Sequence, residues 1–389
     1  MNFETAMQAA QRLGVNIRTV QKWAKQGKLA GAQKVGRDWM IPENAFPQET
    51  SSEKEGEKRG MFMPFASSYF PLGEAEAFIN SLEDEDERNI ALGEYYYHKG
   101  ECEKAVEILE EYLDSPVHNY RFAASIICFF SYLSLGHKHQ AQFTLHSIDT
   151  QLRQIYNTDK HDVRAAKGVF ACTLFSTLLH FSSDRIPPLE NYVNDLDKGI
   201  KCLALYLIAY KAYLEKDYSR AYGIAEASII ICPEEFPIAL IHTHIIAAVS
   251  LMSLTKVKKA KEHLVAAWEM ALPDGFYQPF AEHHPVLQGL LESYLKKEHP
   301  EEFAHIIDIA KTYGKSWRRI HNELMEKTVA ENLTTTEFVV ASLYYRNWRI
   351  KEIADHMHLS ERTIKNYLQI IYQKLGVNGR KGLEDFMLN

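Results

Sequence analysis

Apolar residues recur at spacings of three and four along most of this 389-residue chain, which is the period of helices that bury one face. The pattern continues from about Glu74 to Lys327, with few of the alternating β-branched positions typical of strands. Residues 47–60 contain no apolar residue and mix charges with Ser, Gly and Pro, a composition typical of a solvated linker. The pattern therefore predicts a mainly α protein, with a flexible linker at 47–60 and a long helical array after it.

A small residue recurs within this array at positions where paired helices would cross. The recurring alanines, separated by 36, 80 and 39 positions, are Ala105, Ala141, Ala221 and Ala260. A small side chain lets two antiparallel helices approach closely, and stacked pairs bury surface that one pair cannot. Residues 92–116 have the spacing of a tetratricopeptide repeat. We therefore predict a tetratricopeptide-like domain over 61–327, and the alternative is an irregular helical bundle.

The first 46 residues predict two helices followed by a hairpin. A helix from Thr5 to Arg12 and another from about Asn16 to Gln26 flank Gly14, which suits a left-handed turn. Residues 31–42 predict a hairpin that turns at Gly36-Arg37. The second helix exposes polar and cationic side chains that suit bases and phosphates of the major groove: Arg18, Thr19, Gln21, Lys22 and Lys25.

This segment resembles the excisionase and MerR-like winged helix-turn-helix family over residues 4–46. The matching residues include Ala9, Ala10, Leu13-Gly14-Val15, Trp23, Val35-Gly36-Arg37, Trp39 and Pro42. The resemblance implies a DNA-binding domain over 1–46. Its second helix would enter the major groove with Arg18, Thr19 and Lys22, and its wing would contact DNA through Lys34 and Arg37. The alternative is a helical protein-interaction domain with a solvated cationic face.

Residues 333–380 predict a second helix-turn-helix. Two consecutive helices share one apolar stripe, formed by Ile350, Ile353, Ala354, Ile364, Leu368 and Ile371. Ser360 is a favourable N-cap for the second helix, and Glu361 lies in its first turn, where the helix dipole favours a negative charge. The outward face carries donors that suit bases and phosphates: Arg362, Thr363, Lys365, Asn366, Gln369 and Lys374.

This second segment closely resembles the LuxR-type C-terminal DNA-binding domain. The matching residues are Glu337, Lys351-Glu352-Ile353-Ala354, Leu359-Ser360-Glu361, Thr363-Ile364-Lys365, Lys374-Leu375-Gly376-Val377 and Arg380. The resemblance implies a four-helix DNA-binding domain over 328–389. The chain departs from the family pattern at Thr336, in place of Arg, and at Asn347-Trp348, in place of Gly. The alternative is a homologue whose recognition face no longer binds DNA.

LuxR-like modules commonly pair through their final helix, which corresponds here to residues 380–388. Leu383, Phe386 and Met387 form an apolar stripe on this segment, so we predict a homodimer, at least on DNA. The stripe packing on its own domain is the alternative. Residues 267–291 also resemble the helical region of maltose-activator-like regulators, but the chain has no GxxxxGK[ST] phosphate loop, so ATP binding is not inferred.

Charge follows the same division of the chain. The net charge is −7, but residues 1–45 carry seven Lys or Arg against three Asp or Glu, and residues 333–389 carry eight against six. The two ends are therefore basic and the middle is acidic, which indicates a polyanion partner for the ends. No secretory leader or membrane span is recognisable, and five widely spaced cysteines predict buried core thiols rather than disulfides or a zinc site. The predicted location is the cytoplasm.

No catalytic or metal-binding arrangement is apparent. Paired histidines such as His242 with His244 are two positions apart and diverge on a helix, so core or surface roles are expected. The series Tyr206, Tyr210 and Tyr213 predicts repeat core, with an aromatic groove for a ligand as the alternative.

The sequence as a whole predicts a non-enzymatic transcription regulator that binds double-stranded DNA and requires no cofactor. An unidentified small-molecule or protein effector would act on the helical repeats, and RNA polymerase is a further candidate partner. The alternative is a protein-interaction scaffold whose terminal modules dock partner proteins.

Overall fold

The computed structural model describes residues 3–13, 17–25, 27, 29–36, 38–43, 45, 61–156, 163–181, 186–232, 236–326 and 328–387. Helices dominate these ranges and strands occur in the N-terminal domain, so the mainly α class is confirmed. The predicted linker at 47–60 lies outside the described residues. Among the helices that are described, none combines the length and the apolar character needed to cross a membrane.

The N-terminal domain contains two helices and a small antiparallel sheet. Its elements are β1 (Phe3–Thr5), α1 (Ala6–Leu13), α2 (Ile17–Lys25), β2 (Gln33–Val35) and β3 (Asp38–Pro42), with β3 in the centre of the sheet. The predicted hairpin is therefore extended by one strand. Helix α1 begins after Thr5, because the Thr5 hydroxyl accepts from the Gln8 amide (3.3 Å) and the Gln8 side chain accepts from the Thr5 amide (2.9 Å). This reciprocal capping satisfies two donors at the helix start.

Thirteen helices of the described residues form the central array. They are α3 (Ala75–Ser81), α4 (Glu85–Lys99), α5 (Cys102–Leu109), α6 (His118–Leu135), α7 (Lys138–Tyr156), α8 (Val163–Leu178), α9 (Lys198–Leu214), α10 (Tyr218–Ile231), α11 (Pro237–Ser253), α12 (Val257–Ala271), α13 (Gln278–His283), α14 (Leu290–Glu298) and α15 (Pro300–Met325). One continuous apolar core runs through them.

Consecutive helices of the array pack as pairs: α4 with α5, α6 with α7, α9 with α10 and α11 with α12. The four recurring alanines, Ala105, Ala141, Ala221 and Ala260, are all fully buried. Gly93 serves the same purpose on α4, since a Cβ there would lie 2.4 Å from Leu109 Cγ. Small residues thus occur where helices approach closely, and the relation to tetratricopeptide repeats stays a prediction.

Two cysteines depart from the expected pattern of five core thiols. Cys202 of α9 and Cys232 at the end of α10 form a disulfide, with their Cα atoms 5.9 Å apart. The prediction was wrong for this pair because α9 and α10 pack side by side, which brings together residues that are 30 positions apart. Cys102, Cys128 and Cys172 are buried, as predicted.

The C-terminal domain consists of α16 (Thr335–Tyr345), α17 (Ile350–Met357), α18 (Glu361–Leu375) and a 3-10 helix, Arg380–Phe386. The predicted fourth helix is therefore a 3-10 helix. Leu383 and Met387 are 0% and 3% exposed, and Phe386 packs against the same core. The apolar stripe predicted as a dimer surface is thus occupied within its own domain, because these side chains close the core beneath α16.

The C-terminal domain is docked on the array through side-chain hydrogen bonds. Arg346 donates to Ser253 Oγ (3.1 Å) and to the Tyr213 hydroxyl (3.2 Å). His356 Nε2 donates to the Gln288 carbonyl oxygen (2.8 Å). We refer to Tyr213, Ser253 and Gln288 as the docking surface of the array.

Apolar packing and a close backbone approach reinforce this contact. Trp348 packs against the cores of both the array and the C-terminal domain. Gly289 has a φ of 78°, and a Cβ at this position would lie 3.2 Å from the His356 ring. Only a glycine adopts this conformation readily, so Gly289 allows α17 to approach the array closely.

Candidate nucleic-acid interface

Helix α18 is defined by strong local signals at both ends. The Ser360 hydroxyl accepts from the Thr363 amide (3.0 Å), and Gly376 ends the helix with a φ of 65°. Ile364, Leu368 and Ile371 are buried on one side. These three residues anchor the helix in the domain core and leave the opposite face to solvent.

That solvent face carries four of the six residues that the sequence places on the outward face of α18. The exposed residues are Arg362, Lys365, Asn366 and Gln369, and their spacing of three and four places them in one stripe. Within the described part of the chain neither Arg362 nor Lys365 is placed in an ion pair. Their charges are therefore available for phosphates or for base edges.

Thr363, another residue of the predicted outward face, has a different environment. It is half-buried, and its hydroxyl lies 2.8 Å from Ser360 Oγ. Its amide is the donor to the same oxygen. Thr363 thus belongs to the N-terminal cap of α18, next to the exposed stripe.

Lys374 was expected on the outward face, but it holds α18 to α16. Its Nζ lies 2.7 Å and 2.9 Å from the two carboxylate oxygens of Glu337. Glu337 also accepts from the Thr334 amide (2.8 Å) and closes the capping box of α16. Burial by itself raises the pKa of Glu337, but the Lys374 ammonium and the Thr334 amide outweigh it and lower that pKa. The Lys374 charge is therefore compensated within the domain.

The structure explains the departure from the family pattern at Asn347-Trp348. Asn347 has a φ of 70°, a left-handed conformation that glycine favours and asparagine tolerates. Arg380 donates to Asn347 Oδ1 (2.8 Å) and to the Trp348 carbonyl (3.0 Å), and its guanidinium lies 4.2 Å from the Tyr344 ring centroid. Asn347 thus replaces the usual glycine without losing the turn, and Arg380 is a structural residue here.

The predicted DNA-binding residues of the N-terminal domain are only partly described. Arg18, Thr19 and Lys22 belong to α2, whose Val20 and Ala24 are buried, but the side chains of these three lie outside the described residues. Lys34 is exposed on β2, opposite Trp39 of β3. Arg37 lies outside the described residues, and the neighbouring Gly36 has a φ of 64°, as a tight hairpin turn requires.

The sequence did not indicate the role of Arg12 in this domain. Arg12 forms an ion pair with Glu4 of β1 (2.5 Å) and donates to the Ala45 carbonyl oxygen (3.0 Å). It thereby links α1 to the strand before it and to the end of the domain. No spacing rule connects these three positions, so only the folded structure identifies Arg12 as structural.

Comparison with known families agrees with this geometry. Residues 331–387 match the family model described as bacterial regulatory proteins, luxR family. The chain carries a luxR-type helix-turn-helix module. Residues 5–46 match a model described as a helix-turn-helix domain, which confirms the second predicted module. No curated protein and no solved structure matches the chain.

The luxR-type module and the N-terminal helix-turn-helix support a DNA-binding transcription regulator as the class of this protein. The array contacts the luxR-type module through α16 and its C-terminal end, through α17 and through the turn that precedes α18. His358 Nε2 in this turn donates to the Ser293 carbonyl oxygen (3.2 Å). The exposed stripe of α18 faces away from its own buried side and is open to solvent in this docked arrangement.

Proposed function

We propose that this protein is a sequence-specific transcription regulator in which the helical array senses an effector or a partner and modulates DNA binding. The observation that supports DNA binding best is the stripe of Arg362, Lys365, Asn366 and Gln369 on α18. These side chains are exposed, whereas the opposite side of the helix is buried in the domain core. A rigid helix that presents such donors fits the width of the major groove.

The chemistry of each side chain suggests its role. Arg362 suits guanine, and Asn366 and Gln369 suit adenine, because their donors and acceptors match those base edges in pairs. Lys365 suits a phosphate, and Thr363 supports the helix start beside it. In the N-terminal module, Arg18, Thr19 and Lys22 would occupy a second groove, with Lys34 and Arg37 of the wing on the DNA backbone.

Coupling between the array and DNA binding would act through the docking surface. The contacts from Arg346 and His356 fix one arrangement of the luxR-type module relative to the array. An effector that binds the array more tightly in another arrangement would shift the population toward it. The module would then be presented differently to DNA, with no change in the recognition residues themselves.

A single recognition helix buries too little surface for typical specific affinity, so we propose a homodimer on DNA. Half-sites would then lie about one helical turn apart as an inverted repeat. Because Leu383 and Met387 are buried within their own domain, pairing would use another surface. In this proposal the DNA-bound regulator also contacts RNA polymerase. The protein then acts in the cytoplasm.

The decisive experiment is a titration of the full chain with DNA fragments that it selects from its host genome, repeated over a series of salt concentrations. Lys365→Ala is the test variant. Lys381→Ala, which removes an exposed positive charge from the same module, is the control. We expect Lys365→Ala to weaken binding to all selected fragments and to reduce the salt slope by about one, as for the loss of one phosphate contact.

Full affinity of Lys365→Ala with an unchanged salt slope would contradict the assignment of α18. Salt-insensitive capture of a protein, together with no DNA selection, would favour the scaffold alternative. An Arg37→Ala variant of the full chain tests the wing in the same assay. We expect this variant to remain folded and to bind DNA with reduced affinity.

A further inference from the structure

A partly open cavity of about 20 Å³ lies in the array, lined by the end of α8, by α9, by α13 and by α15. This is more space than one water molecule requires, but far less than a drug-sized ligand occupies. The side chains that give the cavity its chemistry are His180, Tyr210, Glu282, His283, Tyr313 and Trp317. None of them has a role in the DNA-binding proposal.

Glu282 supplies the carboxyl group of the cavity wall. It accepts hydrogen bonds from the Tyr97 hydroxyl and from the Gln278 side-chain amide, and no lysine or arginine within the described ranges forms an ion pair with it. Burial raises the pKa of Glu282 to about 7. Carboxylates removed from water are normally paired with a cation. The two hydrogen bonds are made by neutral groups and leave the charge of an ionised Glu282 uncompensated, so a guest with a positive charge would stabilise the ionised form.

Aromatic rings provide the rest of the cavity wall. Tyr210 and Tyr313 are each 3% exposed and Trp317 is 5% exposed. Trp317 Nε1 donates to the Leu178 carbonyl oxygen (2.7 Å), and the Tyr210 hydroxyl lies 2.7 Å from His180 Nε2. Because these polar atoms are already engaged, Trp317 and Tyr210 offer the cavity mainly π surface, which attracts cations.

We propose that this cavity is a binding site for a small organic ammonium ion, with the ammonium group paired to Glu282 and enclosed by Tyr210, Tyr313 and Trp317. The size of the cavity favours a head group of about the dimensions of methylammonium. In the regulatory scheme, which rests on the proposed function, this ion is the effector that the array senses.

The helices that line the cavity also contact the luxR-type module. On α9, Tyr210 lines the cavity and Tyr213, one turn further along, accepts from Arg346 of the module. On α15, Trp317 lines the cavity and the next residue, Arg318, lies 5.1 Å from the Phe338 ring centroid of the module. A guest that shifts either helix therefore acts directly on the contacts that hold the module.

The test is calorimetric titration and thermal unfolding of the full chain with methylammonium chloride as the probe. Potassium chloride at equal ionic strength and methanol, a neutral molecule of similar size, are the control solutes. Glu282→Gln keeps the shape of the side chain but removes its charge. Glu94→Gln is the matched control, because Glu94 is another buried carboxyl of the array, accepts from the Ala66 amide (2.8 Å) and does not line the cavity.

We expect methylammonium to bind and stabilise the wild type and Glu94→Gln equally, and to bind Glu282→Gln at least about thirtyfold more weakly. Equal binding to Glu282→Gln, equal stabilisation by potassium chloride or methanol, or no binding to the wild type would each overturn the site. If Glu282→Gln does not fold, Trp317→Phe replaces it with an expected loss of about fivefold, and unchanged affinity there would also overturn the site.

Binding to the site and its effect on DNA are measured separately. The titrations contain no DNA, so their failure rejects the cavity site without affecting the DNA-binding assignment. If methylammonium binds through Glu282 and the DNA affinity is the same with and without it, the site stands and its effector role is rejected.

Discussion

Removal of the Arg346 side chain is expected to release the luxR-type module from the array. Arg346 donates to Ser253 Oγ and to the Tyr213 hydroxyl at 3.1 and 3.2 Å. Ser253 keeps a second partner in Arg346→Ala, because Gln288 Nε2 also donates to Ser253 Oγ (3.1 Å). The main losses are therefore the charge-assisted bonds to Tyr213 and to Tyr218, for which we expect a combined cost of about 2 to 3 kcal/mol in docking free energy.

A cost of this size lowers the ratio of docked to undocked molecules by about 30- to 150-fold. Hydrogen exchange of the full chain measures it directly, since the amides of α14 and α17 lie at the contact between array and module. We expect faster exchange in both helices of Arg346→Ala, with little change in α4 or α5. Lys381→Ala removes a positive charge from an exposed position of the same module and is expected to exchange like the wild type.

The reasoning would be refuted by a folded Arg346→Ala protein whose α14 and α17 exchange at wild-type rates. Exchange that accelerates across the entire chain would also contradict it, because this result would indicate general destabilisation. A DNA titration of the same variant then shows the direction of the coupling. We expect a changed affinity because the module is released from the array. Since the recognition residues themselves are intact, this change would report the docking contact alone.

Three further predictions concern stability. Gly199→Ala should destabilise the protein by several kcal/mol, because the added Cβ would lie 1.7 Å from the Ser67 backbone oxygen. Gly223→Ala adds a Cβ with nothing within 4 Å and should stabilise α10 by about 0.5 to 1 kcal/mol. Denaturant unfolding compares the two variants, and equal effects would contradict the steric argument. Cys202→Ser opens a link between residues 30 positions apart and should cost about 2 to 4 kcal/mol under oxidising conditions and much less under reduction. Burial lowers the pKa of His98 from 6.5 to about 3. The stabilising contribution of the neutral ring is therefore complete above pH 6.5 and is lost as the pH falls below that value, by about 1.4 kcal/mol per pH unit. His98→Phe should flatten this slope in unfolding curves at pH 7, 6 and 5, and an identical slope would contradict the assignment.

Local signals determined most of what the sequence predicted correctly. The cap at Ser360, the glycine at position 376 and the apolar stripe of α18 each depend on residues within a few positions of one another. The same holds for the recurring small residues, since one alanine at each crossing suffices to allow close packing. Such features can be inferred from spacing because the helix places neighbours in the chain on known faces.

Contacts between distant residues were decided by the tertiary structure. Lys374 has the sequence context of a DNA-binding lysine, but Glu337, 37 positions away, neutralises it. Cys202 met Cys232 only because two helices pack side by side. The final apolar stripe is buried because α16 lies over it, although its periodicity fits a dimer surface equally well.

The sequence by itself determined that this protein has two helix-turn-helix modules separated by a helical array, because helix periods, caps and turn residues are local properties of the chain. The tertiary structure decided which charges remain free on α18, how the module contacts Tyr213 and Ser253, and that Glu282 lines the same cavity as Tyr210, Tyr313 and Trp317. These arrangements depend on packing between helices that are far apart in sequence, and no local pattern encodes which of several compatible partners a side chain meets.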